Sequence, residues 1–110
     1  MPALTVQPIP ETGLKPVYSS ADAGGDYAIV NNHVRTFVHI KNGHSSPQSI
    51  TIVGVEESNQ GETNDNVISV TNAEERMIPI RYWEKSTANR VDFTYSGVTA
   101  LTIAIIQVGD

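Results

Sequence analysis

Three histidines, twelve carboxylates and a scatter of serines are the groups in this chain with chemistry to offer, and their spacing decides what they could do. His33, His39 and His44 stand six and five residues apart. Neither interval is that of a compact metal motif such as H-E-x-x-H, in which one helical turn brings two rings to one ion. His39 falls inside an alternating run and the other two flank loops, so no metal and no cofactor are expected. The stretch SNQGETNDN, with Glu62 and Asp65, is rich in oxygen donors but lacks the D-x-[DN]-x-[DN]-G pattern and distal Glu of a calcium loop. It reads as a solvated acidic loop. No serine lies in G-x-S-x-G, and Gly24-Gly25 belongs to neither a dinucleotide fingerprint nor a P-loop. Paired acids carry no specificity in a chain with twelve of them. Tyr82-Trp83 could contribute to a sugar-stacking platform, yet neighbours on a strand point to opposite faces. No catalytic residue is assigned, and the chain is expected not to be an enzyme.

The elements that would position these groups belong to one small domain. The chain has 110 residues, within the size of a single domain. Seven basic against twelve acidic residues give a net charge of −5, which is wrong for tracking a phosphate backbone, so no nucleic-acid partner is expected. Cysteine is absent, which excludes disulfides and thiolate metal sites. No apolar run approaches the ~18 residues that span a bilayer, and the start has no charged-then-apolar leader pattern. The expectation is a soluble chain, without a secretion signal of its own and without a membrane partner.

Strand signals recur along the sequence: ALTVQPI near the start, YAIV at 27–30, VRTFVHIK at 34–41, SITIVGVE at 49–56, NVISV at 66–70, RMIPI at 76–80, RVDFTY at 90–95 and LTIAIIQV at 101–108. About eight short β-branched runs, punctuated by Gly, Pro, Asn and Ser, predict an all-β, single-domain β-sandwich. The last two runs read as a hairpin. Helical signals are confined to Asn72-x-x-Glu75, which resembles a capping box, and to YWEKSTAN. Four of six prolines, Pro2, Pro8, Pro10 and Pro16, fall in the first sixteen residues, where they disfavour a central strand. Residues 1–25 are therefore read as an extended proline-rich arm and 26–110 as the sandwich domain.

Alternation assigns the faces. Val91, Phe93 and Tyr95 share one side of their run, and Val34, Thr36, Val38 and Ile40 oppose Arg35, Phe37, His39 and Lys41. Phe37 thus falls on a side that is otherwise polar. In LTIAIIQV both sides are apolar, which fits a central strand covered on both faces or one covered by another chain. On the second view Phe37, Ile106 and Val108 are candidate oligomer-interface residues.

The segments ALTVQPIPETGLKPVYSSADAGGD, VRTFVHIKNG, ITIVGV, ERMIPI and NRVDFTYSGVTALTIAII together resemble those of small head proteins of tailed bacteriophages. ERMIPIRYW departs from the Gly-Pro-Phe-Pro-like stretch usual at that point. The resemblance implies a jelly-roll-like β fold and capsid decoration: a cement protein, often a homotrimer, that sits on the outer capsid surface of the virion and clamps major capsid protein subunits. On that reading Leu4, Val6, Ile9, Leu14 and Val17 are apolar anchors of an arm laid on the capsid. Removing residues 1–20 should then leave the β core folded, with some loss of stability if ALTVQ adds an edge strand, while weakening capsid attachment at least about tenfold. A receptor- or carbohydrate-binding module of a head fibre or tail appendage is the alternative, and would show exposed Tyr and Trp grouped on one loop surface.

Overall fold

The computed structural model describes residues 2–54, 65–81, 84–86 and 88–109. Ten strands form two five-stranded sheets packed as a β-sandwich: β1 (Ala3–Leu4), β2 (Val6–Pro8), β3 (Ser19–Ser20), β4 (Asp26–Ile29), β5 (Thr36–Asn42), β6 (Gln48–Ile52), β7 (Asn66–Val70), β8 (Glu74–Pro79), β9 (Arg90–Tyr95) and β10 (Leu101–Gln107). One sheet runs β1-β4-β9-β6-β7. The other runs β2-β10-β5-β8, with β3 also paired to β10. All pairings are antiparallel except β1 with β4 and β2 with β10.

The period-two pattern places the core as the sequence demands. Val38 and Ile40, Ile50 and Ile52, Val91 and Phe93, and Leu101, Ile103 and Ile105 all turn inward and are essentially inaccessible. Val34 does not continue that face. A 3-10 turn over His33–Arg35 precedes β5 and leaves Val34 81% exposed.

Three sequence expectations change. Consecutive strands mostly switch sheets, so RVDFTY and LTIAII are an arch and not a hairpin: β9 pairs with β4 and β6, while β10 pairs with β5, β2 and β3. Each strand has one apolar side facing the same core from opposite sheets, which a flat hairpin could not arrange. The Asn72–Glu75 box forms no helix; Ala73 adopts a φ of 58° in a turn, and β8 begins at Glu74. Of YWEKSTAN, Tyr82, Trp83 and Thr87 lie outside the described residues, and the remainder forms tight turns closed by Glu84 N–H to Arg81 O and Asn89 N–H to Ser86 O.

The first twenty residues do not stand away from the domain. Leu4 pairs with Ala28 on one sheet, the chain crosses the sandwich edge at Thr5, and Val6–Pro8 pairs with Ile105–Gln107 on the other. Both Leu4 and Val6 pack on the core. Prolines are accommodated because these are edge strands, where a missing N–H breaks no second ladder. The chain then returns to β10 as β3, with the Gln7 side-chain amide pinning the strap by two hydrogen bonds to the Val17 backbone, 2.8 and 2.9 Å. This explains how β10 can be apolar on both sides. It is a central strand, and on its outer side Ala104 and Ile106 are only 2% and 5% exposed within the single chain.

Candidate functional site

The groups with reactive potential do not converge. His39 lies on the outer side of β5 but is buried there, its Nδ1 2.6 Å from the Tyr18 hydroxyl and its Nε2 3.2 Å from a Glu75 oxygen. Lys41 stacks over the Tyr18 ring at 4.1 Å. His33 belongs to the 3-10 turn, and His44 donates its backbone N–H to Asn42. Among the described residues no group of three His, Asp or Glu side chains could hold a metal ion. Asp65 caps the Gly54 N–H at 2.8 Å; Glu62 lies outside the described residues.

The buried polar residues act as fasteners between elements. Asp26, 1% exposed at the start of β4, accepts a 2.7 Å hydrogen bond from the Tyr95 hydroxyl at the end of β9. Glu84 is fully buried and holds Arg81 through its guanidinium at 2.9 Å and its backbone N–H at 2.6 Å. At the opposite end of β5, the Asn42 amide donates to Val70 O at 2.9 Å and to Ser46 O at 3.0 Å. Its oxygen accepts from Gln48 Nε2 at 2.9 Å. Gln48 in turn bonds the Thr99 carbonyl and N–H at 2.8 and 3.0 Å. A Cβ on Gly97 would come within 2.8 Å of the Gln48 oxygen that Thr99 holds in place, and one on Gly43 within 3.2 Å of Ala100 O. So the KNG and TYSGVT stretches meet in space, and their glycines permit that close approach. Sequence reading treats Asn42-Gly43 only as a turn signal. The Asn42 partners that join it to the other sheet, Gln48 and Val70, lie 6 and 28 residues away, beyond what a turn signal can reveal.

The Asp26–Tyr95 contact sets a pH dependence. Burial pushes the Tyr95 phenol above its ordinary 10.0, and the hydrogen bond to Asp26 adds to the shift. Folded protein therefore keeps this proton where unfolded chain releases it. That stabilisation is complete below pH ~10 and is lost as pH rises further, by up to about 1.4 kcal/mol per pH unit. Tyr95→Phe is expected to flatten this alkaline loss and to cost about 1–2 kcal/mol at neutral pH, where Asp26 loses a donor. Urea titrations of both proteins from pH 8 to 11 check it; parallel alkaline slopes would refute it.

Among the described residues an apolar groove of about 570 Å³ opens at one end of the β2-β10-β5-β8 sheet, lined among others by Val34, Phe37, Met77, Pro79 and Val108. Met77 is 65% and Val108 49% exposed. Of the three interface residues expected from sequence, Phe37 and Val108 meet here. Ile106 does not: it faces Phe37 across the ladder, buried in its own chain. Val34 and Met77 escape sequence reading, one because a turn reverses its face and the other because β8 is an edge strand. Among the expected arm anchors, Leu4 and Val6 are spent on the core, Leu14 is half-buried, and Ile9 and Val17 face solvent.

No protein-family model, curated protein or solved structure matches this chain. The sandwich is fastened at both ends by buried polar pairs, and the exposed Val34, Met77 and Val108 line one groove edged by the basic residues His33 and Arg35, while the exposed Ile9, Val17, Ile29 and Val67 lie elsewhere on the surface. Apolar area gathered in this way on a polar surface is the mark of an interaction site.

Proposed function

We propose that this protein is a non-enzymatic structural component of a phage virion, a capsid decoration protein that binds the outer capsid surface as a small homo-oligomer and stabilises contacts between major capsid subunits. The observation that carries the reading is the fate of the motif residues on which the phage resemblance rests. Asp26 of GGD, Asn42 of KNG, and Tyr95 and Gly97 of TYSGVT all serve as fasteners of the sandwich. None is displayed as a reactive group in a cleft. A chain whose most distinctive residues are devoted to rigidity suits a protein whose work is mechanical. Its apolar groove supplies a place for self-association, and the acidic balance of the remaining surface keeps a decorated particle soluble.

The glycan-binding alternative calls for aromatic faces free to stack on sugars. The Tyr27 ring is covered by Arg90 at 4.0 Å, that of Tyr18 by Lys41, and the Tyr95 hydroxyl is bound to Asp26. Tyr82 and Trp83, named for such a platform, lie outside the described residues.

Mixing the purified protein with capsids that lack it, followed by co-sedimentation, tests the proposal. Saturable attachment at a fixed ratio to the major capsid protein is expected. Recovery of all the protein in the supernatant at tens of micromolar would overturn it.

A further inference from the structure

Among the described residues every arginine but one is paired with a carboxylate, every carboxylate but one has a hydrogen-bond or ion partner, and these two exceptions are opposite in charge; Lys15, Lys41 and Lys85 also lack a carboxylate partner. Arg76 is held by Glu74 at 3.0 Å, Arg81 by Glu84 at 2.9 Å and Arg90 by Asp92 at 2.7 Å. Arg35 is the arginine with no carboxylate partner among the described residues, and it edges the apolar groove. On the acidic side, Asp22 and Asp65 accept backbone N–H groups, Asp26 accepts the Tyr95 hydroxyl, and Glu75 lies against His39. Glu11 is the carboxylate left without a partner among the described residues. It is exposed at the tip of the turn Pro10–Gly13, which is closed by Gly13 N–H to Pro10 O at 3.0 Å and preceded by Ile9, 37% exposed.

The fold sets these two features at the same end of one sheet but on opposite edges. Pro8 pairs with Gln107, Gln107 with Thr36, and Phe37 with Pro79. The Glu11 turn leaves the β2 edge just beyond Pro8, and the groove occupies the β5-β8 side. We propose that copies of this chain associate head to tail, the Ile9–Gly13 turn of one copy seating in the groove of the next with Glu11 paired to Arg35. A groove-to-groove two-fold contact would instead gather unpaired Arg35 side chains in one interface and leave both Glu11 outside it, an arrangement of like charge that disfavours association. A contact between opposite edges at a shared end is heterologous and can close into a ring. Apolar packing of Ile9 and Pro10 against Val34, Met77 and Val108 supplies the affinity, and the ion pair fixes the register. Lys15 is beyond Gly13 and outside the turn.

This inference rests on the self-association part of the proposed function and is independent of capsid binding. Sedimentation velocity of the full chain at tens of micromolar, in low and high salt, is the test. The wild type is expected to associate, more weakly in high salt. Glu11→Arg or Arg35→Glu alone should weaken association at least about tenfold, and the double reversal should recover most of it. Circular dichroism should be unchanged, since both side chains are exposed and unpaired; Arg35→Gln provides a milder variant of the same sign. Wild-type protein that stays monomeric would overturn self-association and this contact together. Oligomers indifferent to the single reversals, or weakened by them without recovery in the double variant, would overturn this contact while self-association stands.

Discussion

A chain lacking residues 1–20 is expected to fail to fold cooperatively and to accumulate in the insoluble fraction. The segment supplies β1, β2 and β3, and with them the outer edge of both sheets. Its loss removes the ladders to Tyr27–Ala28, to Ile105–Gln107 and to Thr102–Ile103, together with the hydrogen bonds from Tyr27 N–H to Pro2 O and from Ile9 N–H to Gln107 O. Leu4 and Val6 leave the core, each worth about 1.5–3 kcal/mol when fully buried. With the lost hydrogen bonds the total exceeds about 5 kcal/mol, against a stability of about 5–15 kcal/mol for a typical domain. The damage extends beyond the energy. β10, the most apolar strand, would present a bare edge flanked by Ala104 and Ile106, and such edges recruit other chains. Soluble yield and urea unfolding of the truncated protein check the expectation; a cooperative transition with a midpoint close to that of the full chain would refute it. The exposed side chains of the same segment behave differently. Ile9→Ser with Val17→Ser should change stability by no more than about 0.5 kcal/mol, which makes it the variant for separating partner contacts from folding.

Asn42→Asp should destabilise the protein by about 3 kcal/mol or more. The substitution is nearly isosteric and keeps the oxygen that accepts from Gln48 and from His44 N–H. It replaces the amide nitrogen, however, with an oxygen facing the carbonyls of Val70 and Ser46 at a site only 2% exposed. Two hydrogen bonds become two repulsions, and a charge enters the interior without a cation beside it. For a domain of this size the melting temperature should fall by more than about 10 °C. Thermal and urea unfolding at neutral pH measure it, and a loss below about 1 kcal/mol would show that the Asn42 network does not hold the two sheets together at this end.

How much of the architecture local pattern could carry is clearest strand by strand. NVISV and RVDFTY coincide with β7 and β9 to the residue; in RVDFTY strict alternation bounded by turn residues leaves a single register that buries Val91 and Phe93, whereas in NVISV, where Val67 and Ile68 are adjacent, Val67 is left exposed. The N-terminal run is the contrary case. Its prolines announce edge character truthfully, but no feature of ALTVQPIPETGL states whose edge. Parallel pairing of Val6 with Ile105 joins residues 99 positions apart in sequence, and that choice is made by the shape of the assembled sandwich.

The same division runs through the candidate site. Sequence alone determined that this is one all-β domain, that its inward faces carry Val38, Ile40, Val91 and Phe93, and that no familiar catalytic or metal-binding spacing is present, while both sides of LTIAIIQV read as apolar. Those properties depend on period, composition and spacing, which are local. Tertiary structure alone decided that His39 is buried beneath Tyr18, that Asn42 and Gln48 bind the ends of the sheets, and that Ile106 is covered while Val34, Met77 and Val108 are not. Burial on an outer face is fixed by which distant segment crosses it, and the strap through Gln7 and Val17 covers one half of the sheet and leaves the other half open as a groove.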